Sequence, residues 1–262
     1  MLHGLRPAVI GLLVWAALAE PQRPSESEAA AALDQARKVS LYYARSLPDF
    51  LCTEVIQRFS HPTRLSAWTL SDTLTLKLSY SDRKEEHKLV LIDGKPTDRS
   101  YDSLEGAVGV GEFGATLDSI FDPASEAHFR WERWKDVRQR QAAVYSYVVD
   151  LSHSRYTLTF GPRGNRRSAP VGYHGVVEID RETGAVLHLS YDADHIPAGF
   201  GMNNADTTVD YDFADVGGTD YLLPARSETF LRTPQLWVRN DAEFREYRKF
   251  SSDSTVTFGL GK

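Results

Sequence analysis

Two hydrophobic periods divide the chain. Between residues 25 and 48, Ala32, Leu33, Ala36, Val39, Tyr43 and Leu47 recur at helical spacing and share one face. Ser25 and Glu28 precede them as a capping box, in which each side chain satisfies a backbone N–H of the other residue. Pro48 stops the run, because the residue before proline avoids the helical region. The pattern predicts one amphipathic helix of about five turns.

From Phe50 the period is two. "LSDTLTLKLSY" puts Leu70, Leu74, Leu76, Leu78 and Tyr80 on one face and Ser71, Thr73, Thr75, Lys77 and Ser79 on the other. "HKLVLIDGKPT" follows and ends in an Asp93-Gly94 turn. The alternation returns in "HFRWERW", "VYSYVVDL", "RYTLTF", "HGVVEID", "AVLHLSY", "TTVDYDF", "YLLPARSETFL" and "EFREYRKF". Turns at Arg181-Glu182-Thr183-Gly184 and Gly217-Gly218 separate several of them. About eleven strands joined by short turns imply a mainly β (α+β) chain of antiparallel meanders. Apolar rows stand out: Phe129 with Trp131, Tyr145 with Tyr147, Tyr156 with Leu158 and Phe160, and Leu187 with Leu189 and Tyr191. A sheet this wide hides such rows by curling into a barrel, stacking as a sandwich or wrapping round helices. The interior is then either a filled core or an apolar cavity.

The ends change the picture of where the protein works. Arg6, an apolar run from Pro7 to Ala19 and the closing Ala17-Leu18-Ala19 predict a secretory signal peptide over residues 1–19. The expectation is a chain exported to the periplasm or secreted, beginning near Glu20, with a polar leader over 20–28 and a single domain over 29–262. No later apolar stretch approaches the length of a membrane-spanning helix. The formal charge is −6 over 262 residues, and removing Arg6 makes it one unit more negative. An acidic chain whose densest basic spot is "RGNRR" (163–167) does not suit a nucleic-acid partner. Cys52 is the only cysteine, so no internal disulfide forms, and its neighbours Phe50, Leu51 and Val55 make it a small buried hydrophobe.

Chemical motifs are sparse. "GVGEFG" (109–114) has the G-x-G-x-x-G spacing, which binds a nucleotide only between a buried strand and a helix in a βαβ unit. The polar "YDSLEGAV" before it is no such strand, so no nucleotide is expected. Glu112 to Phe121 reads instead as a short amphipathic helix with Phe113, Leu117, Ile120 and Phe121 on one face. G-x-S-x-G, H-E-x-x-H and paired C-x-x-C motifs are absent. "HLSYDADH" offers His188, Asp192, Asp194 and His195, and reads as a solvated strand end more than a cation site. Asp210 and Asp212 share a strand face opposite Val209, Tyr211 and Phe213, and are expected to face water. His174 reads as structural. Neither a cofactor nor a metal is called for, and no catalytic residue is assigned.

Two hairpins resemble a known group. "GYHGVVEIDRETGAVLHLSY" (172–191) and "TTVDYDFADVGGTDYLLPARSE" (207–228) are similar to consecutive hairpins of the periplasmic lipoprotein-carrier superfamily of LolA, LolB, LppX and RseB type. The chain also resembles a group of uncharacterised secreted bacterial proteins with "LPDFLCT", "GEFG" and "YRKF" signatures. The superfamily resemblance implies a half-open β-barrel with an N-terminal helix and a short lid helix over its apolar face. It implies a non-enzymatic protein that carries or senses a lipid or acylated molecule, including a lipoprotein. Leu74, Leu76, Leu78, Phe129, Trp131, Tyr156 and Leu158 would line the groove, and Phe113, Leu117 and Ile120 would belong to the lid. The buried arginine that tethers the lid in LolA-type carriers has no assigned counterpart. The alternatives are a protein-interaction module with a filled core, or a secreted hydrolase built on Asp210 and Asp212 or on the His188 cluster.

Overall fold

The computed structural model describes residues 23–62, 67–104, 113–161 and 165–250. The apolar leader and all of "GVGEFG" before Phe113 lie outside the described residues.

Helix α1 (Glu26–Ser46) forms where the caps place it. The Glu28 N–H donates to Ser25 Oγ at 3.3 Å, and the Ser25 N–H donates to Glu28 Oε2 at 2.8 Å. Glu26 and Glu28 complement the helix dipole in the first turn. The helix ends at Leu47, whose extended backbone leads into Pro48.

The strands that follow are β1 (Phe50–Pro62), β2 (Thr69–Ser81), β3 (Lys84–Ile92) and β4 (Lys95–Pro96). After the short helix α2 (Ala115–Phe121) come β5 (His128–Val137), β6 (Arg140–Val149), β7 (Thr157–Phe160) and β8 (Arg167–Pro170). The last are β9 (Gly172–Asp180), β10 (Val186–Asp194), β11 (Asn204–Asp215), β12 (Asp220–Arg232) and β13 (Leu236–Lys249). Eleven of them make one antiparallel sheet in the order β4-β3-β2-β1-β13-β12-β11-β10-β9-β6-β5, and β7 with β8 form a separate hairpin. The last strand thus pairs with the first, joining two meanders at the sheet's centre. The edge strands β4 and β5 do not meet, so the barrel stays half-open.

One face of the sheet is covered. Ala36 of α1 and Leu117, Ile120 and Phe121 of α2 pack with Tyr145, Tyr147, Val177, Leu189, Val209 and Tyr211 of β6 and β9–β11. On β1–β3 and β13 the same face carries Cys52, Ile56, Leu74, Leu76, Leu78, Tyr80, Leu89 and Phe244, joined by Phe113 and Tyr101 from the connection between β4 and α2. A third cluster, with Leu158, Val171, Phe200 and Met202, sits under the β7–β8 hairpin.

Local chemistry places the turns. Asp93 and Gly94 both take positive φ, 50° and 72°, as a two-residue hairpin turn between β3 and β4 requires. Gly175 has no room for a side chain: a Cβ there would lie 1.8 Å from the Ser190 carbonyl oxygen of β10.

Two expectations shift. The helix foreseen from Glu112 begins at Ala115, after Gly114 in the left-handed conformation, and Glu112 itself lies outside the described residues. Leu70 does not share the face of Leu74: Arg58 opposes Asp72 while Phe59 opposes Leu70, so a bulge at Ser71 inverts the strand. Leu70 is accordingly 48% exposed.

Candidate functional site

On the β1–β3 half, side chains that oppose one another across the ladder share the covered face. Cys52 pairs with Leu78, Glu54 with Leu76 and Ile56 with Leu74. Leu78 in turn opposes His87 and Tyr80 opposes Glu85. Glu54, Glu85 and His87 therefore point into an apolar interior.

They meet one another there. His87 Nδ1 lies 3.0 Å from Glu54 Oε2, and His87 Nε2 lies 3.5 Å from Glu85 Oε2. Their side chains are 7%, 4% and 13% exposed in the order His87, Glu54, Glu85, so the pairs are barely screened by water. Tyr101 stacks against the imidazole at 5.9 Å between centroids.

Beside this triad stands an aromatic cage. Phe50 stacks on Tyr80 at 5.1 Å and meets Tyr247 edge-on at 5.5 Å. The ring of Phe113 enters between them, 5.2 Å from Phe50 and 5.5 Å from Phe244. It lies 6.2 Å from Tyr80 and 6.4 Å from Tyr247. The backbone N–H of Phe113 donates to Glu85 Oε1 at 3.3 Å. The covering segment is thus held by a ring and by one hydrogen bond to a buried carboxylate.

The remaining groups at the cage are neutral. Burial pushes the Cys52 thiol well above its ordinary range, with the Glu54 charge adding to it and the Tyr247 hydroxyl working against it. A thiol so held is a poor nucleophile. Burial also raises the Tyr247 phenol, whose hydroxyl donates to the Pro224 carbonyl at 2.6 Å. Tyr43 reaches down from α1 and packs edge-on to Tyr211 at 6.2 Å. Its hydroxyl is enclosed, with burial first and then Tyr80 and Glu85 raising its pKa, and it has no hydrogen-bond partner among the described residues.

A hollow of about 340 Å³ backs onto the cage and shares Phe244 and Tyr247 with it. Its other walls mix Phe213, Leu223 and Pro224 with the charged Asp212, Asp215, Arg245 and Glu246, and it is half-open to solvent. Bulges open this space: β12 spends an extra residue at Ala225 and β13 another near Glu246.

The ten residues expected to line the groove and form its lid are distributed over the three clusters. Leu74, Leu76, Leu78 and Phe113 belong to the cage half. Leu117 and Ile120 lie under α1, with Phe129, Trp131 and Tyr156 packed against the same cluster. Leu158 lies under the β7–β8 hairpin, which Tyr156 also touches. Arg58 faces the covered side in a bidentate pair with Asp72, at 2.6 and 2.5 Å. Glu85, not an arginine, holds Phe113. Reading the charged run "KEEHKL" in period two from Leu89 would have found Glu85 and His87.

The sequence's other polar clusters separate. His188 Nδ1 lies 2.7 Å from Asp210 Oδ1 across β10 and β11, and this hydrogen bond holds the Asp210 carboxyl below its usual range. His174 pairs with Asp194 at 2.8 Å elsewhere on the sheet. Val209 and Tyr211 are buried, whereas Phe213 is 45% exposed, under the guanidinium of Arg140. Among the described residues no three His, Cys, Asp or Glu side chains are placed to hold a metal ion. No helix among them is long and apolar enough to cross a membrane.

No family model and no curated protein matches the chain. Solved structures do resemble it. A LolA superfamily protein from Nitrosomonas europaea aligns at 8% identity and a TM-score of 0.41, over 85% of this chain and 94% of that one. A DUF1329 family protein from Desulfovibrio piger aligns at 9% identity and 0.37, over 86% and 94%. A putative outer membrane lipoprotein-sorting protein domain from Vibrio parahaemolyticus aligns at 11% identity and 0.37, over 85% and 93%.

Proposed function

We propose that this chain is an exported, non-enzymatic binding protein that holds a lipid or acyl chain on the covered face of its half-barrel, as a carrier or a sensor. The observation that carries this reading is Phe113. It is a single ring, on the connection into a seven-residue helix, that fills an aromatic cage which an apolar chain would suit. Among the described residues two helices and short connections close the covered face of the eleven-stranded sheet, and a cover of that kind is a candidate for local opening. The resemblance of residues 172–191 and 207–228 to lipoprotein-carrier hairpins points the same way.

A second reading has its own support. Leu74, Leu76, Leu78, Phe113, Leu117 and Ile120 are each no more than 3% exposed, as in a filled core. The opposite face carries Phe59, His61, Trp68, Phe230 and Trp237 in mutual contact with Arg232 and Arg239, which suits a protein partner.

Titrating a fluorescent acyl alcohol into the parent and into Phe113→Ala separates the two. The carrier reading expects saturable uptake by the parent and tighter uptake once the plug is removed. Saturable binding by neither variant rejects it in favour of the interaction module.

A further inference from the structure

We infer that the uncovered face, at its β1–β2 and β12–β13 end, docks an apolar protein segment that carries a lone carboxylate for Arg232. The assignment rests on the protein-partner reading above and is independent of acyl binding. Four rings close a circuit there. His61 lies 5.3 Å from Trp68 and 5.2 Å from Trp237, and Phe230 lies 5.5 Å and 6.2 Å from the same two rings. None of the four belongs to the buried clusters of the covered side. Their neighbours Leu70, which opposes Phe59, and Leu236 are 48% and 36% exposed. Aromatic and arginine side chains gathered in one exposed patch are the composition of a binding hot spot.

Two arginines lie on the rings and differ in their partners. The Arg239 guanidinium, over Phe59 and Trp68 at 4.6 and 5.3 Å, has Asp241 at 2.9 Å and Glu228 at 4.0 Å. The Arg232 guanidinium lies over Phe230 and Trp237 at 4.6 and 5.3 Å, and forms no salt bridge among the described residues. Asp206 feels its charge without pairing with it. A guanidinium held against rings keeps its N–H edge for a carboxylate, which it grips with two parallel hydrogen bonds. The surrounding charges repel a polyanion. Asp206 opposes Phe230, Asp192 opposes Asp206 and Glu228 opposes Asp241, all on this face. A phosphate-rich surface would meet these four carboxylates, whereas one carboxylate among aliphatic and aromatic side chains meets Arg232 and the rings.

The test is selection of a random dodecapeptide phage library on the full-length chain, with Leu70→Glu as the counter-selection, because Leu70 is exposed and its loss leaves the core intact. Peptides with one Asp or Glu among apolar residues are expected. For a synthetic peptide of that kind, Arg232→Ala should weaken binding about tenfold or more, as one charge-assisted pair implies, and Arg232→Lys should restore only part of it. Changing the peptide's carboxylate to its amide should cost the same in the parent and nothing further in Arg232→Ala. Phe113→Ala, on the other face, should bind the peptide as the parent does. Peptides without a carboxylate, or an affinity that survives Arg232→Ala, overturn the inference and leave a protein partner in place. Phosphatidylglycerol vesicles that bind the parent but not Arg232→Ala, or a dimer that Leu70→Glu dissolves, overturn it in favour of lipid or a second copy. No peptide enriched over Leu70→Glu overturns the protein-partner reading as well, and acyl uptake is untouched by every one of these outcomes.

Discussion

Under α1 and α2 three buried tyrosines end on backbone carbonyls: Tyr145 on Ala29 at 3.3 Å, Tyr147 on Ser190 at 2.9 Å and Tyr173 on Ser119 at 3.3 Å. Under Phe113, a few strands away on the same face, the enclosed polar groups are Glu54, Glu85, His87 and a thiol. The first uses these polar atoms to join helices to strands and strand to strand, as a structural core does. The second keeps ionisable side chains in an apolar setting, which is costly to stability and characteristic of sites. On the function proposed above, the α1–α2 half holds the fold and the cage half binds.

The largest expected effect lies in the structural half. Gly175→Ala forces a Cβ to within 1.8 Å of the Ser190 carbonyl, so β9 and β10 must separate. Urea unfolding should show a loss of more than about 3 kcal/mol. Phe113→Ala comes next, at about 3 kcal/mol for a buried Phe, but with acyl affinity raised instead of lost.

The tyrosine pair sharpens the contrast. Tyr147→Phe deletes a hydroxyl that bonds the Ser190 carbonyl and should destabilise by about 1 kcal/mol. Tyr43→Phe deletes a buried hydroxyl without a described partner, and should be neutral or stabilise by up to about 1 kcal/mol. Equal losses for the two would contradict a Tyr43 hydroxyl that has no described partner.

The smallest effect is a pH dependence on the uncovered face. Asp206 of β11 is raised to about 6, first by burial and then by Asp192 and Glu228, with Arg232 working against them. A carboxyl raised on folding favours the folded state when protonated. Its contribution is fully present below the ordinary carboxylate range near pH 4 and is lost as pH rises through 6. Asp206→Asn should therefore stabilise the protein above pH 6 relative to the parent, and the gap should close towards pH 4 in thermal melts.

Local signals made much of this legible. Ser25, Glu28 and Pro48 bound α1, and the alternation from Leu74 to Tyr80 assigns the covered face of β2. The inversion at Leu70 was hidden because a bulge leaves no trace in a period-two pattern. The pairing of β1 with β13 joins residues far apart in sequence, where periodicity is silent. The row of Tyr156, Leu158 and Phe160 suggests a strand of the main sheet, but Leu158 folds off on the β7–β8 hairpin against Phe200 and Met202, while Tyr156, just before it, touches both clusters. Glu85 and His87 sit in "KEEHKL", which resembles a solvated edge until Phe113 and Tyr101 are seen to cover it. The site was missed because its cover comes from a distant, irregular connection.

Native mass spectrometry of the chain purified without detergent tests the central claim most directly. The account predicts an adduct of amphiphile mass that organic extraction removes, that the extracted protein takes up again, and that Phe113→Ala retains more tightly. A bare mass for both proteins, with no uptake of an added acyl chain, would contradict it and leave the cage as core.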